Sequence, residues 1–360
     1  MEKQSYELIN GIGKHMAIFS IVYDGQESLW MFFIRLRSRV QKIVNLHPEI
    51  DVIHLNDGLM ATIFYLLKIP TSGIKIVVTF HGLDVVFPLG IFQNVLLPKL
   101  HQYDAFVCVS DATRQACLDR GFQKDKLFVV DNGVEDVMSN STSKDDKKIF
   151  TKYGIREDDI IILAIGRPVK RKGFSWFAKE VIPLLGDKFK FVHIGGIKVS
   201  LPYWYKILPI KIQELMALFL GKATDAQPLI DAARSNSNII LCGKVPEGDK
   251  IALISKARMT IMPNIKVAGD MEGFGLVALE AAVQGKTVLA AHLEGITNAI
   301  HDGRNGYLIP SEQALIWKEK IMDVCQDEVY YIPSVRKYTL DHFSWEIMCS
   351  NYAKIFTNLV

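Results

Sequence analysis

A run of basic residues follows directly after an apolar segment in the second half of the chain. The apolar run Ile160–Ile165 leads into Gly166–Gly173, which contains the cations Arg167, Lys170, Arg171 and Lys172. In open α/β sheets, ligands bind at the carboxyl ends of the strands, where these side chains would lie. Arginine offers a planar fork of donors and lysine a point charge, a combination suited to a diphosphate. We therefore predict an anion site here, the alternative being an ordinary solvated basic loop.

A second candidate cluster combines glycines with carboxylates between Glu272 and Glu280. Gly273 and Gly275 permit a ligand to approach the backbone closely, and a helix beginning near Gly275 would point its free amides at a phosphate. By helical rise, Glu280 would lie about 12 Å further on than Glu272. The two carboxylates would therefore touch different parts of a long ligand, one on a ribose and one on a second sugar. The alternative is that Glu280 is an ordinary helix-surface residue, although its neighbours are small and apolar.

Several common catalytic and nucleotide-binding motifs are either absent from the sequence or stand in the wrong structural context. Gly11-Ile12-Gly13-Lys14 follows a helical pattern and lacks the third glycine of a dinucleotide fingerprint, so it indicates a helix stop. Gly285-Lys286-Thr287 precedes a strand, whereas a phosphate-binding loop precedes a helix. The chain contains no Gly-x-Ser-x-Gly, His-Glu-x-x-His or Asp-x-Asp, so we expect neither a hydrolase elbow nor a metal held by paired carboxylates.

The elements that must position these motifs alternate along the whole chain. Short apolar runs alternate with amphipathic stretches, which is the pattern of parallel sheets covered by helices. One such stretch places Phe174, Phe177, Val181 and Leu184 on one helical face. The predicted strands are Met16–Tyr23, Asp51–Leu55, Ile74–Thr79, Ala105–Val109 and Lys126–Val130, then Ile160–Ile165, Phe189–Ile194, Ile239–Cys242, Met259–Met262 and Thr287–Ala290.

Two doubly wound, Rossmann-like α/β domains follow from this alternation and from the length of 360 residues. Residues 137–150 interrupt the alternation with serine, asparagine and charged residues, which is typical of a linker. We place an N-terminal domain at 1–140, a linker at 141–150, a second domain at 151–338 and a C-terminal helix at 339–360.

Composition narrows the classes of partner and location. Lysine and arginine total 42 against 39 aspartates and glutamates, and the resulting net charge of +3 is too small to indicate nucleic-acid binding. Apolar residues make up 49% of the chain, which excludes wholesale disorder, yet no apolar run is long enough to predict a spanning helix. Scattered cysteines without a Cys-x-x-Cys pair, and an N-terminus unlike a signal peptide, predict a cytoplasmic protein without structural zinc.

The chain begins with a helical pattern, Glu2–Ile12, where a doubly wound domain normally begins with a strand. In such domains the first strand lies in the middle of the sheet and its loop faces the ligand. We therefore expect that about a dozen residues, one strand and its loop, are missing upstream of this helix. The alternative is a variant of the fold that starts with a helix.

Taken together, these motifs resemble those of the family 4 glycosyltransferases of GT-B fold, over nearly the whole chain. The matching segments are Thr79–Gly82, Val109-Ser110, Asn132–Val134, Gly166-Arg167, Lys172-Gly173, Glu272–Gly275 with Glu280, Gly295-Ile296, Asp302–Gly306 and Phe343–Trp345. The last of these, Phe343–Trp345, is similar to the start of the C-terminal helix that crosses back to the first domain in that family.

The resemblance implies two domains that face a cleft. It also implies a retaining transfer of a hexose from a nucleotide-diphosphate sugar, without a metal or another cofactor. Arg167 and Lys172 would neutralise the leaving diphosphate, since fixed cations can stabilise developing charge as a metal would. His81 would contact the donor sugar from the other domain, near the reacting carbon, the alternative being a core histidine whose hydrogen bonds are satisfied within its own domain. No enzyme nucleophile is generally identified in this family, and the leaving phosphate is thought to take the proton of the acceptor.

The resemblance also implies a set of donor-binding residues. Glu280 would hold the ribose hydroxyls, and Glu272 would hold the donor sugar. Backbone groups near Lys244 and Val245 would recognise the base. The remaining donor contacts would come from Gly166, Gly273, Phe274, Gly275 and Leu276.

The implied acceptor is a glycan or a lipid-linked molecule, in the synthesis of a surface polysaccharide, a lipopolysaccharide or a glycolipid. Residues 201–222 are amphipathic, aromatic and basic, with Tyr203, Trp204, Tyr205, Lys206 and Lys211 among them. Such a segment could lie on the inner face of the cell membrane, or it could be a helix packed on its own domain.

The chain departs from the family pattern at its start, because the usual first strand and its Gly-Gly loop are absent from the sequence. In the family that loop contacts donor phosphate, so this departure puts activity in doubt. The remaining alternatives are a degenerate nucleotide-sugar-binding protein and a sugar-nucleotide epimerase or phosphorylase of the same fold. A nicotinamide dehydrogenase is disfavoured, because no Gly-x-Gly-x-x-Gly follows a first strand.

Overall fold

The structure, a computed structural model, describes residues 2–136, 146–197, 208–219, 224–326 and 332–360. The strands are β1 (Val52–Leu55), β2 (Lys75–Phe80), β3 (Ala105–Cys108), β4 (Leu127–Val129), β5 (Ile160–Ile165), β6 (Phe189–Ile194), β7 (Ile239–Gly243), β8 (Met259–Met262), β9 (Thr287–Ala291) and β10 (Tyr307–Ile309). The α-helices are α1 (Glu2–Ile12), α2 (Leu29–Leu46), α3 (Gly58–Leu66), α4 (Leu83–Val86), α5 (Leu97–Lys99), α6 (Asp111–Leu118), α7 (Asp146–Lys152), α8 (Phe174–Glu180), α9 (Ile210–Phe219), α10 (Ala226–Ser235), α11 (Glu247–Lys256), α12 (Leu276–Ala282), α13 (Ile296–Ala299), α14 (Ala314–Gln326), α15 (Pro333–His342) and α16 (Trp345–Leu359).

These elements form two compact units, each built on a parallel sheet. The first unit contains residues 1–133 and 343–360, and its strands lie in the order β1-β2-β3-β4. The second unit contains residues 134–342, with the strand order β10-β9-β8-β5-β6-β7. All strand pairs in both sheets are parallel. The prediction of two doubly wound α/β domains is confirmed.

In the first unit, α1 and α16 pack together against one face of the sheet. Leu8 and Ile12 of α1 share a buried apolar cluster with Met348 and Tyr352 of α16 and with the strand residues Val77, Ala105 and Val107. The helix α16 starts where Ser344 caps it, since the Ser344 hydroxyl accepts a bond from the Ile347 amide at 3.2 Å. The C-terminal helix therefore returns to the first unit, as predicted, but it begins at Trp345 rather than at residue 339, since residues 339–342 belong to α15 of the second unit.

The prediction of a strand at Met16–Tyr23 is wrong, because these residues form no strand and most of them are exposed. Val22, for example, is 61% exposed. Among the described residues, the sheet of the first unit ends at β1, and no strand pairs with this segment. An apolar run becomes a strand only when a neighbour completes its backbone hydrogen bonds, and sequence pattern alone does not show whether that neighbour is present.

In the second unit, one prediction about a helix is wrong and one strand was not predicted. Leu184 was expected on the buried face of a helix with Phe174, but α8 ends at Glu180 and Leu184 is 38% exposed. Pro183 lies in the following 3₁₀ turn and lacks the amide that would continue the α-helix. The strand β10 escaped prediction because a three-residue run carries too little pattern.

Two predicted segments fall partly on residues that the structure leaves undescribed. Of the expected linker, residues 141–145 lie outside the described residues, while residues 146–150 are already part of the helix α7. Of the amphipathic segment 201–222, residues 208–219 are described and contain α9. Tyr203, Trp204, Tyr205 and Lys206 lie outside the described residues. No helix in the described ranges has the length and apolar character needed to cross a bilayer.

Candidate active site

The basic loop after β5 is pressed against the loop after β8. It forms a 3₁₀ turn at Lys170–Lys172 that ends at Gly173, whose backbone is left-handed with φ of 64°. A Cβ at this position would lie 2.0 Å from the Pro263 carbonyl oxygen, so only glycine allows the approach. The Ile265 amide donates to the Arg171 carbonyl at 2.9 Å and ties the two loops together.

This approach brings together four charged side chains, Arg171, Lys172, Asp270 and Glu272, which we call the ionic cluster. Lys172 Nζ lies 2.6 Å from Glu272 Oε2, and Arg171 Nε lies 3.5 Å from the same oxygen. Arg171 Nη1 also lies 3.3 Å from Asp270 Oδ2. Asn264 donates to Glu272 Oε2 through Nδ2 at 3.2 Å. Two loops about a hundred residues apart in sequence thus meet at one carboxylate.

The electrostatics of the ionic cluster keep Glu272 ionised. Burial acts to raise the pKa of Glu272, but the charges of Lys172 and Arg171 outweigh it and lower the pKa to about 2. For Asp270 the balance is reversed, because burial raises its pKa more than Arg171 lowers it. At neutral pH, Glu272 is therefore a fixed carboxylate with acceptor capacity and adjacent cations.

The glycine-rich loop leads from Glu272 into the short helix α12. Gly275 takes a positive φ of 97°, and Phe274 is buried beneath the loop. The helix buries Ala278, Leu279, Ala281 and Ala282, while Glu280 and Leu276 are half-buried. Glu280 therefore lies on the less buried side of the helix, which explains a carboxylate among small apolar residues.

The remaining predicted donor residues lie at the carboxyl ends of β5 and β7. The Gly166 amide donates to the Ile194 carbonyl at 2.8 Å, and the Gly166 carbonyl lies 3.0 Å from His193 Nε2. Arg167 is exposed, in contrast to Lys172. Val245 is half-buried and packs on the apolar cluster beneath β7. These positions share one edge of the sheet with the ionic cluster, because the strands are parallel.

His81 belongs to the first unit, where it follows β2. Its Nε2 lies 2.9 Å from the Asn56 carbonyl oxygen, and its amide donates to Asp84 Oδ1 at 2.9 Å. Burial lowers the pKa of His81 to about 4, so the ring is neutral at pH 7. A carbonyl oxygen can only accept, so Nε2 carries the proton and Nδ1 is the acceptor nitrogen.

Asp84 fixes the loop that carries His81. Its second oxygen accepts the Gly58 amide at 3.0 Å, so the carboxyl joins the starts of α3 and α4. Burial raises the pKa of Asp84 to about 7. The nearby His54 has a structural environment instead, since its Nε2 lies 2.8 Å from the Thr79 hydroxyl, which also contacts the Tyr352 hydroxyl at 2.9 Å.

The structure therefore joins Lys172 to Glu272, and it places His81 in the other unit. Sequence reasoning missed Asp270, Asn264 and Glu294, whose carboxyl accepts the Glu272 amide at 2.6 Å. The spacing Asp270-x-Glu272 was visible in the sequence and could have indicated that Asp270 lies beside Glu272. The role of Glu294 depends on its backbone geometry, which the sequence does not show. Within the described ranges, no set of three histidine, cysteine or acidic side chains is arranged to ligate a metal.

Comparison with known proteins places this chain in a family. Residues 145–338 match the family described as Glycosyl transferases group 1, and residues 7–137 match Glycosyltransferase Family 4. A phosphatidyl-myo-inositol mannosyltransferase from Mycobacterium leprae is 22% identical over 93% of this chain and 80% of its own length.

Solved structures show the same fold. A glycosyltransferase from Rickettsia africae superposes with a TM-score of 0.65 at 18% identity, over 98% of this chain and 87% of its own. Anabaena HepE in complex with UDP-glucose gives a TM-score of 0.68 at 16% identity, over 89% of this chain and 82% of its own. The chain belongs to the group 1, family 4 glycosyltransferases of GT-B fold, and it is a glycosyltransferase.

Proposed function

We propose that this glycosyltransferase moves a hexose from a nucleotide-diphosphate sugar to a glycan or a lipid-linked acceptor, with retention of configuration and without a metal. The observation that carries the proposal is the ion pair of Lys172 with Glu272, at 2.6 Å. It unites the predicted phosphate-binding loop with the predicted sugar-binding loop at one sheet edge. HepE, which shares the fold, is described in complex with UDP-glucose, which is a nucleotide-diphosphate sugar.

The leaving diphosphate would be held by fixed cations. Within the ionic cluster, Arg171 and Lys172 are matched by Asp270 and Glu272, so the cluster itself adds little net charge. Arg167 is exposed at the same edge, where its guanidinium would reach the diphosphate. Backbone amides of Phe274, Gly275 and Leu276 would supply further donors. Such preorganised donors stabilise the charge that develops on the leaving group, and the proposal needs no metal for this step.

The donor sugar and ribose would be held by carboxylates. Glu272 stays ionised at every pH at which the enzyme would work, because its pKa is lowered to about 2. It can therefore accept bonds from sugar hydroxyls while Lys172 and Asn264 fix its position. Glu280 would accept the ribose hydroxyls, and Gly166, Gly273 and Val245 would border the donor.

His81 would contribute an acceptor rather than a charge. Its proton is committed to the Asn56 carbonyl, which leaves Nδ1 able to accept from a hydroxyl of the donor sugar. A neutral ring also avoids placing a positive charge beside the reacting carbon, where positive charge develops as the diphosphate leaves. We propose no enzyme nucleophile, and the proton of the acceptor would pass to the leaving phosphate.

The proposed acceptor class rests on the relatives. The Mycobacterium leprae relative is named for transfer of mannose to phosphatidyl-myo-inositol, a lipid. A lipid-linked acceptor would suit a cytoplasmic enzyme that touches the inner face of the membrane through residues 201–222. A role in surface polysaccharide, lipopolysaccharide or glycolipid synthesis would follow.

The experiment that tests this proposal measures nucleoside diphosphate release from UDP-glucose, GDP-mannose and ADP-glucose. Phosphatidylinositol vesicles and short oligosaccharides serve as acceptors, with and without EDTA. We expect release that depends on an acceptor, is unaffected by EDTA and gives a product with the anomeric configuration of the donor by NMR. An inverted product, or activity abolished by EDTA and restored by a metal, would contradict the proposal. Donor binding without any turnover would support a binding protein instead.

A matched pair of histidine variants tests the role of His81. Loss of one hydrogen bond to the donor in His81→Ala should slow donor turnover about tenfold. His15→Ala is the control, because His15 is an exposed histidine of the same unit. Equal turnover by the two variants would remove His81 from the site.

A further inference from the structure

The backbone that carries Glu272 is held by a pair of hydrogen bonds from the loop after β9. The Glu272 amide donates to Glu294 Oε2 at 2.6 Å, and the Gly295 amide donates to the Glu272 carbonyl at 3.1 Å. The loops touch closely enough that a Cβ at Gly295 would lie 1.9 Å from the Gly273 carbonyl oxygen. Both peptide groups of Glu272 are therefore fixed by residues 294–295.

Glu294 has a backbone conformation that most residues avoid. Its φ is 51°, in the left-handed region that a residue with a side chain adopts only at an energetic cost. The Thr297 hydroxyl donates to the Glu294 carbonyl at 2.8 Å and helps to hold this turn. Strained backbone of this kind clusters at functional sites, where the surrounding contacts maintain it. Here the maintaining contact is the Glu294 carboxyl itself, turned back onto Glu272.

We propose that Glu294 is a positioning residue, which fixes the donor-sugar carboxylate of Glu272 through its backbone and whose own charge weakens the hold of the site on an anionic donor. The inference rests on the proposed function of the site. Glu294 touches no donor in this account, because its carboxyl is committed to the Glu272 amide.

The charged groups around Glu294 set the sign of the effect. Asp270 and Glu272 face it from the loop after β8, and Arg171 faces it from the loop after β5. On its own loop the titratable neighbour is His292, which is exposed. Burial raises the pKa of Glu294 to about 7, and the two neighbouring carboxylates act in the same direction. Above neutral pH, ionised Glu294 adds a negative charge beside the site that must hold a diphosphate.

Two substitutions separate the hydrogen bond, the charge and the backbone. Glu294→Gln keeps an oxygen acceptor for the Glu272 amide and removes the charge. Glu294→Gly accommodates the positive φ and removes the acceptor. Binding of UDP-glucose, GDP-mannose or ADP-glucose to the parent and to each variant is measured by calorimetry as a Kd, and hydrolysis of the donor is measured in parallel. Both measurements run from about pH 5.5 to about pH 8.5, on either side of the pKa of Glu294.

For the parent, the Kd of the bound donor should rise by about threefold or more across this range, since one added charge nearby costs that much in a partly screened site. Glu294→Gln should bind as the parent does at low pH and lose the rise. Glu294→Gly should bind donor more weakly than Glu294→Gln, and hydrolyse it more slowly, at every pH, since both variants lack the charge and only Glu294→Gln keeps the acceptor. The same pH dependence in Glu294→Gln as in the parent would overturn the inference, as would equal binding by Glu294→Gly and Glu294→Gln.

A donor-free measurement separates this inference from the proposed function. A raised pKa means that the carboxyl stabilises the fold below its ordinary pKa of 4.5 and that this stabilisation is lost as the pH rises towards about 7. Glu294→Gln should therefore gain Tm relative to the parent as the pH rises. If no donor binds the parent, the proposed function fails. If the Tm difference between Glu294→Gln and the parent is constant with pH, the inference fails.

Discussion

Removal of the Lys172 ammonium should destabilise the second unit through the carboxylate that it leaves behind. Lys172→Met keeps the length of the side chain and removes the charge 2.6 Å from Glu272 Oε2. Lowering the pKa of Glu272 from 4.5 to about 2 corresponds to about 3 kcal/mol of stabilisation. Arg171 lies at 3.5 Å and retains part of this. The expected loss is therefore about 2 kcal/mol, or about 4–8 °C in Tm for a unit of this size.

The pH dependence of this loss follows from the direction of the pKa. Because the folded pKa of Glu272 is depressed, the stabilisation is complete above about pH 4.5 and is lost as the pH falls towards 2. The Tm difference between the parent and Lys172→Met should thus be largest near neutral pH and should shrink in acid. Calorimetry over this range measures both values.

Lys170→Met is the matched control, because Lys170 lies in the same 3₁₀ turn and is exposed. It should melt within about 2 °C of the parent, as surface substitutions usually do. In a double-mutant cycle, Lys172→Met should cost less in a Glu272→Gln background than in the parent. The reasoning is refuted if Lys172→Met melts with Lys170→Met, or if its cost is unchanged when Glu272 is neutral.

Two glycine substitutions test close approaches in the two units. Gly173→Ala combines a positive φ with a Cβ 2.0 Å from the Pro263 carbonyl oxygen, and it should cost about 3 kcal/mol by urea unfolding, against about 1 for Gly154→Ala, which has a similar φ and nothing within 4 Å. Equal costs would show that the approach to Pro263 is not tight. Gly11→Ala places a Cβ 2.3 Å from Cys349 Sγ and should lower stability by about 1–3 kcal/mol, although alanine favours a helix. Cys349→Ala should restore at least half of that loss, and no restoration would contradict the packing of α1 on α16.

Much of the fold is encoded in local apolar runs. The strands Ile160–Ile165, Phe189–Ile194 and Met259–Met262 agree with their predicted bounds, because each lies inside a parallel sheet and is mostly apolar and buried. Met16–Tyr23 has an equally apolar sequence but no pairing partner among the described residues. Pairing is a long-range property, so the pattern of one segment does not contain it.

The candidate site was predictable where residue type alone indicates chemistry. The cations of the loop after β5 and the carboxylate Glu272 stood out in the sequence. Their direct ion pairing did not, because it depends on the approach of two loops that Gly173 permits. Glu294 carried no sequence signal, since its contribution comes from a left-handed backbone that returns its carboxyl to the Glu272 amide.

The most direct test of the account is donor binding at the ionic cluster, measured as the shift in Tm with UDP-glucose, GDP-mannose and ADP-glucose. A donor at about 100 times its Kd should stabilise the parent by about 2.7 kcal/mol, which is about 5–10 °C for the second unit. The account predicts this shift for at least one donor and its loss in Glu272→Gln and Lys172→Met, with His15→Ala behaving as the parent. The central claim is contradicted if no donor shifts the Tm of the parent, or if a donor shifts the parent and both cluster variants equally.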